Sequence, residues 1–331
     1  MKILVANAKG HIRDTFFPPD IATKLEQIGE VVWNEMERNF TPEELRERLE
    51  GIDVCITGWG NAKLDEYVLE KAQSLKLVAH TGGTVAPLVS EALYDKGVRV
   101  ISGNEIYARS VAEGVIAYML VALRDIPKYS EMLRSKGWHD GSWWNEGLLD
   151  QTVGLVGFGA IAQYLVPMLK AFDVKIKVYS SHLSEQDALR WGVERATLDE
   201  IFSECKIISI HSAATPKTYH MIDRRLLQMI PEGSLFVNTA RGSVVDEEAL
   251  AQELHTGRFK AVLDVYEEEP LPMGSKLRSA PNTLLMPHMA GPTIDRRKFV
   301  TEGLLKDIEN FYSGNPLKLE ITRNQAAHMT K

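Results

Sequence analysis

Arg241, a run of carboxylates from Asp264 to Glu269, and His288 are the residues whose types and spacing could do chemistry together. They stand in three short stretches. Val237-Asn238-Thr239-Ala240-Arg241-Gly242 carries a planar cation. Leu263-Asp264-Val265-Tyr266-Glu267-Glu268-Glu269-Pro270 carries the acids, and Met286-Pro287-His288-Met289-Ala290-Gly291 carries an imidazole. Hydride transfer to a 2-oxo acid asks for three such groups. One holds the carboxylate, one gives the keto oxygen its proton, and one keeps that proton donor charged. An arginine fork grips a carboxylate at two points where lysine offers a point charge. Histidine is the common proton donor near neutral pH, and a carboxylate beside an imidazole favours its charged form.

Hydride needs a carrier, and the chain has a turn suited to one. Gly154-Leu155-Val156-Gly157-Phe158-Gly159-Ala160-Ile161-Ala162 is an apolar strand running into the G-x-G-x-x-A form of the dinucleotide fingerprint. Gly157 permits the tight turn, Gly159 lets backbone approach a pyrophosphate across Phe158, and Ala162 keeps helix close to strand. The amides of Ala160 and Ile161 then point at the phosphates from a helix N-terminus. About twenty residues on, NAD-binding versions place an acid on the ribose. Here the sequence reads Val178-Tyr179-Ser180-Ser181-His182, with no acid. Ser180 or Ser181 can bond the ribose, and the lost charge no longer repels a 2′-phosphate. His182 and Arg190 are the nearest cations for such a phosphate. The reading is NAD, with NADP open.

The elements that must position these groups read as two strand–helix series. In the first, Ile3–Ala6, Val31–Trp33, Val54–Thr57, Leu77–Ala79 and Val98–Ile101 are short runs rich in β-branched residues. Thr41-Pro42-Glu43-Glu44 is a helix start: a threonine cap, a proline in the first turn and a glutamate three residues on. A helical pattern from Ala108 to Met132, interrupted near Pro127, leads into the irregular segment Trp138-His139-Asp140-Gly141-Ser142-Trp143-Trp144. The second series has strands at Val153–Val156, Ile176–Tyr179, Ile207–Ile210, Leu235–Asn238, Ala261–Val265 and Leu284–Met286, and a last helix follows from Ile294 to Phe311. Strands separated by helices imply α/β architecture with two doubly wound parallel sheets.

Composition sets the outer bounds. The 331 residues suffice for two domains, with 44% hydrophobic and 25% charged residues as in ordinary globular proteins. A net charge of −7 speaks against nucleic acid as partner. Cys55 and Cys205 read as reduced, buried thiols. The longest apolar run, Val115 to Leu123, is short of the roughly 18 residues of a membrane span. The first residues, Met1 to Ala6, read as a strand rather than a signal peptide. A cytoplasmic protein without a membrane partner is expected.

In order and wording these stretches resemble the D-isomer-specific 2-hydroxyacid dehydrogenase family over nearly the whole chain. The resemblance implies a flavodoxin-like substrate domain, 1–103 plus 291–331, with a Rossmann NAD(P)-binding domain, 104–290, inserted in it. It implies that Arg241 forks onto the substrate carboxylate and keto oxygen, that His288 is the acid–base, and that Glu269 is the carboxylate tuning it. Glu267 and Glu268 are left as a solvated acidic turn. Asp264 would accept from the nicotinamide carboxamide, with Thr239 and Ala240 lining the ring and Ser110 and Val111 near it. Gly82, Gly83 and Thr84 would hold the substrate carboxylate, and Trp59 would wall the pocket or pack in the core. No metal is implied. Formate dehydrogenases of this fold carry glutamine where Glu269 stands, so a Glu–His pair indicates a hydroxy/keto couple.

The chain also departs from the family pattern. Val85-Ala86-Pro87 replaces an acid after the Gly82 turn, His211-Ser212-Ala213-Ala214-Thr215 replaces a proline-containing cofactor turn, and Gly257 to Val262 is one residue short. Reductases of glyoxylate or hydroxypyruvate and a phosphoglycerate dehydrogenase share the implied fold, the latter expected to be of the short type, with no room after the last helix for a regulatory domain. So does a different class, the nucleotide-sensing corepressor-like binding proteins, although no nucleic-acid-binding tail is seen. A phosphate on the substrate could meet Lys9, Arg13, Arg109 or Arg297. The arm bearing Trp138, Trp143 and Trp144 implies a homodimer.

Overall fold

Runs of β-branched and apolar residues form parallel strands here because helices cover both faces of each sheet. The structure, a computed structural model, describes residues 1–138, 141 and 145–330. It divides into two compact units, Met1–Ala108 with Pro292–Lys331, and Arg109–Gly291. The first break thus falls inside a helix, five residues after the 103/104 boundary expected from sequence.

The first unit holds β1 (Lys2–Val5), β2 (Glu30–Trp33), β3 (Val54–Thr57), β4 (Leu77–His80) and β5 (Arg99–Ser102), ordered β2-β1-β3-β4-β5 and all parallel. That order is the doubly wound one of flavodoxin-like sheets. Phe16, Ile21 and Leu25 fill one face together with Val300, Leu304 and Ile308 of helix Ile294–Tyr312. Leu45, Leu49, Leu69, Leu88 and Leu93 fill the other. Thr41 caps helix Pro42–Arg48 through the reciprocal bonds with Glu44 that its spacing predicts.

The second unit holds β6 (Thr152–Val156), β7 (Lys175–Tyr179), β8 (Glu194–Arg195), β9 (Ile207–Ile210), β10 (Leu235–Asn238), β11 (Lys260–Leu263) and β12 (Thr283–Leu285). Their order, β12-β11-β10-β9-β6-β7-β8, reverses direction between β6 and β9, where ligands sit in such sheets. Sequence reading gave six strands. It missed β8, two exposed residues with no apolar run to announce them. The strand expected over Ala261–Val265 ends earlier, at Leu263, and frees Asp264 to face the loops.

The single interrupted helix expected over 108–132 is two helices, Asn104–Leu123 and Ile126–Lys136. Asp125 between them takes a left-handed φ of 51°, and Pro127 falls in the first turn of the second helix, where its missing N–H costs no bond. Against the short run expected from sequence, the first is 20 residues long with a mean hydropathy of 1.5 over an 18-residue stretch, enough by length and composition alone to cross a membrane. Ala112, Val115, Met119 and Leu123 recur on one face and are buried in the core beside β6, as expected of a packed core helix.

Candidate active site

Three loops at the carboxyl edge of the seven-stranded sheet carry the site. After β10, Asn238 folds the first loop: its amide donates to the Arg241 carbonyl at 3.0 Å and accepts from the Ala240 N–H at 3.1 Å. Arg241 is half-buried and donates through Nη1 to the Ala240 carbonyl at 2.6 Å. It has no ion pair among the described residues. Burial lowers its pKa, and the nearby charge of Glu269 opposes that shift. A guanidinium stays charged under such a shift, so a cation waits here without a bonded counter-charge.

After β11 comes Asp264, only 1% exposed. Its Oδ1 accepts from the Met289 N–H at 2.7 Å and the Tyr118 hydroxyl at 3.2 Å, and its Oδ2 from the Ala290 N–H at 2.8 Å. The structure therefore places Asp264 beneath the His288 loop, which it ties down, rather than standing free for a ligand. Tyr266 braces the same loop, its hydroxyl 2.9 Å from the Met286 carbonyl.

Glu269 then joins the second loop to the third. Its Oε1 accepts from the Tyr266 N–H at 3.1 Å and its Oε2 from His288 Nδ1 at 2.7 Å. With Nδ1 committed, Nε2 is the ring nitrogen left to exchange a proton. The His288 and Glu269 side chains keep 46% and 36% of their surface exposed, so the pair is reachable. His288 sits at φ 55°, a left-handed conformation that side-chain-bearing residues seldom adopt and that often marks function. An open hollow of about 520 Å³ lies against the pair, lined by Leu271, Arg278, Leu285 and Met286.

One sequence expectation needs correcting. Glu267 is not merely part of a solvated turn: its carboxylate accepts from His220 Nε2 at 2.6 Å and from the Glu247 N–H at 3.2 Å. Sequence reading also passed over Tyr118, Asn238 and His220, whose partners lie 146, 3 and 47 residues away. Only Asn238, two residues before Ala240, left a local signal.

The glycine turn has the room a dinucleotide needs. A Cβ on Gly157 would lie 2.7 Å from the His211 backbone, and φ there is 108°, so only glycine fits. Above Gly159 there is open space. Gly159 is also the N-cap of helix Ala160–Lys170 and makes no side-chain cap bond, so among the described residues no cap side chain takes the first-turn N–H groups of Ala160 and Ile161. Ala162 is fully buried against the sheet, and Phe158 packs edge-on against Trp191 at 5.6 Å. These residues fit a pyrophosphate. Ser180, half-buried, follows β7 and accepts from the His182 N–H at 3.2 Å, and Ser181 is exposed beside it. Thr239 and Ala240 are buried, and Thr239 Oγ1 has no hydrogen-bond partner among the described residues. Ser110 and Val111 lie half-buried on helix Asn104–Leu123. His211 is buried against Ser209 at 2.9 Å, and burial holds its pKa down to about 4.

In the first unit, Gly82, Gly83 and Thr84 follow β4. A Cβ on Gly82 would collide with His80, while Gly83 is open enough for an ordinary contact. The Thr84 hydroxyl donates to the Thr330 carbonyl at 2.6 Å, which leaves its backbone for any ligand. Trp59 is 49% exposed and packs edge-on against Phe16 and Tyr107, so it is no core residue. Among the cations named above, Lys9 pairs with Glu35 and Arg13 donates to the Asn34 carbonyl. Arg297 lies over the rings of Phe16 and Trp59 and donates to Thr15.

Comparison with known proteins gives consistent relatives. Residues 116–290 match the profile of the D-isomer specific 2-hydroxyacid dehydrogenase, NAD binding domain. A D-3-phosphoglycerate dehydrogenase of Methanocaldococcus jannaschii is 34% identical over 278 residues, 83% of this chain. The chain spans about half of that relative, 52%. A hydroxypyruvate reductase of Thermotoga maritima is 31% identical over 85% of this chain and 94% of its own length. A crystal structure of a Thermus thermophilus protein superposes with a TM-score of 0.81 at 25% identity, over 97% of this chain and 100% of the other.

Proposed function

This chain belongs to the D-isomer specific 2-hydroxyacid dehydrogenase family, and from that premise we propose that it reduces a small 2-oxo acid to its D-2-hydroxy acid. The observation that carries this reading is the 2.7 Å bond between His288 Nδ1 and Glu269. It fixes the ring with Nε2 as the proton-transfer atom. Arg241, a cation without a bonded counter-charge, receives the substrate carboxylate and the keto oxygen. In the first unit, the backbone N–H groups of Gly82, Gly83 and Thr84 are the carboxylate-binding groups of this reading.

The Gly157–Ile161 turn, with Thr239, Ala240 and Ser110, would hold a reduced nicotinamide dinucleotide, which would supply the hydride. As the keto oxygen gains the electron pair of its broken π bond, His288 Nε2 gives it a proton. The ring ends neutral and keeps its Nδ1 proton on Glu269. Asp264 holds the backbone of Met289 and Ala290, and so the direction of the imidazole. A carboxylate at position 269, rather than an amide, suits chemistry that moves a proton to oxygen.

The Thermotoga relative, almost all of which the chain covers, is named a hydroxypyruvate reductase, so hydroxypyruvate and glyoxylate are the first substrates to try. Ser180 and Ser181 put no acid at the ribose, so NADPH is accepted, and with no arginine fork evident for a 2′-phosphate NADH stays slightly favoured. The assay is oxidation of each cofactor with hydroxypyruvate, glyoxylate and pyruvate. Turnover of at least one supports the reading. Tight cofactor binding with turnover of none rejects it in favour of a nucleotide-sensing protein.

The protein works as a cytoplasmic homodimer, without nucleic acid or membrane as partner. Trp138 is 76% exposed, and Ile126 and Leu133, two turns apart on one helix face, are 51% and 53% exposed. Apolar surface of this kind marks an interface. Trp143 and Trp144 lie outside the described residues. Sedimentation at micromolar concentration is expected to show a dimer; a monomer contradicts it.

A further inference from the structure

The loop that ends in Glu269 is anchored at its start by an exchange of bonds. The Glu267 N–H donates to Glu247 Oε2 at 2.9 Å, and the Glu247 N–H donates to Glu267 Oε1 at 3.2 Å. The ring of His220 donates to the same Glu267 oxygen at 2.6 Å. His220 is itself placed, with its N–H on the Ser243 carbonyl at 2.9 Å and its ring stacked on Tyr219 at 4.0 Å. Three segments thus converge on one carboxylate.

Their backbones also touch. A Cβ on Gly242 would lie 1.9 Å from the Tyr266 carbonyl carbon and 2.3 Å from the Glu267 nitrogen. The residue after Arg241 therefore rests directly on the peptide that begins the Glu269 loop. Two carboxylates held side by side repel, and burial with that repulsion raises the pKa of Glu247 against the lowering effect of its bond from Glu267. Asp246 caps helix Glu247–His255 through the Ala249 N–H at 2.9 Å, and Glu267 takes the Glu247 N–H, another first-turn donor, so the clasp also ties the Glu269 loop to that helix start.

We propose that Glu267, clasped by Glu247 and His220, is a positioning residue that sets the Glu269 carboxylate against His288 and the Arg241 loop at fixed spacing. Its kinetic readout rests on the functional reading above. Glu267→Ala releases both Glu247 and His220. Glu267→Gln keeps an acceptor for the Glu247 N–H and loses only the charged bond, so it is the milder variant.

The test measures oxo-acid reduction against pH in both variants, alone and combined with Glu269→Gln. Glu267→Ala is expected to raise KM and to move the alkaline fall-off to lower pH, in the direction of Glu269→Gln, with Glu267→Gln shifting it less. In the Glu269→Gln background Glu267→Ala should add no further shift. A variant that melts earlier yet keeps the wild-type fall-off, or an equal shift in both backgrounds, overturns the proposal.

Amide exchange separates this from failure of the functional reading. The Tyr266 N–H is bonded to Glu269 Oε1, so it reports whether that carboxylate has moved. Even if the wild type reduces no oxo acid, Glu267→Ala should speed exchange at Tyr266 by about tenfold or more. Unchanged exchange there rejects the clasp.

Discussion

At the scale of single residues the decisive contrast is between cations seated on carboxylates and Arg241, which is half-buried at the site without one among the described residues. Arg241 gives one N–H to a carbonyl and forms no ion pair among the described residues. Lys9, Arg38 and Arg99 sit on Glu35, Glu44 and Glu320. An unpaired, half-buried guanidinium is costly unless an anion arrives, and a charge-assisted bond to that anion contributes about 1.5–3 kcal/mol. Arg241→Lys should therefore raise KM by roughly ten- to a hundredfold, with a smaller loss in kcat as two-point contact is lost. An unchanged KM would remove Arg241 from the substrate. Sequence showed Arg241 and His288 as the right groups after the right strands. The resemblance singled out Glu269 among three consecutive acids, but the work of Glu267 was not legible, because its partners Glu247 and His220 lie 20 and 47 residues away.

At the scale of elements, chemistry collects where strands end. β10 and β11 deliver the Arg241 and Asp264 loops, and the segment after β12 delivers His288. The apolar runs made these strands legible, and the glycine turn after β6 marked the edge to which they point. Two things were not legible. β8 is too short and too exposed to show periodicity. The role of Asp264 as a tie for the His288 loop depends on a contact across 25 residues. The end of β7 carries its own prediction. Ser180 stands where an acid would repel a 2′-phosphate, so Ser180→Asp should weaken NADPH more than NADH, by about tenfold, the scale of one charge–charge contact near 1.4 kcal/mol. Titration of both cofactors checks this, and equal weakening would place the ribose elsewhere.

At the scale of the whole molecule, each unit has a buried histidine that must stay neutral. His80, bonded to Thr57 at 3.0 Å, and His211, bonded to Ser209 at 2.9 Å, are both held by burial at about 4 against an ordinary 6.5. Their folded values lie below the unfolded value, so the unfolded chain binds protons first as pH drops. The stability they contribute is complete above pH 6.5 and is lost as pH falls from there toward 4. Melting temperature should stay level from about pH 8 to 7 and decline through about pH 5, and His211→Gln should make the decline shallower; a level profile down to about pH 5 contradicts the burial argument. The reaction is where the account is most exposed. The most direct measurement is single-turnover reduction of hydroxypyruvate or glyoxylate with NADH, wild type beside His288→Ala, with chiral identification of the product where it has a stereocentre. The account predicts a D-2-hydroxy acid from the wild type and a rate lower by about a hundredfold or more in the variant, the scale of general acid catalysis. A His288→Ala protein that reduces the same oxo acid at the wild-type rate would contradict it.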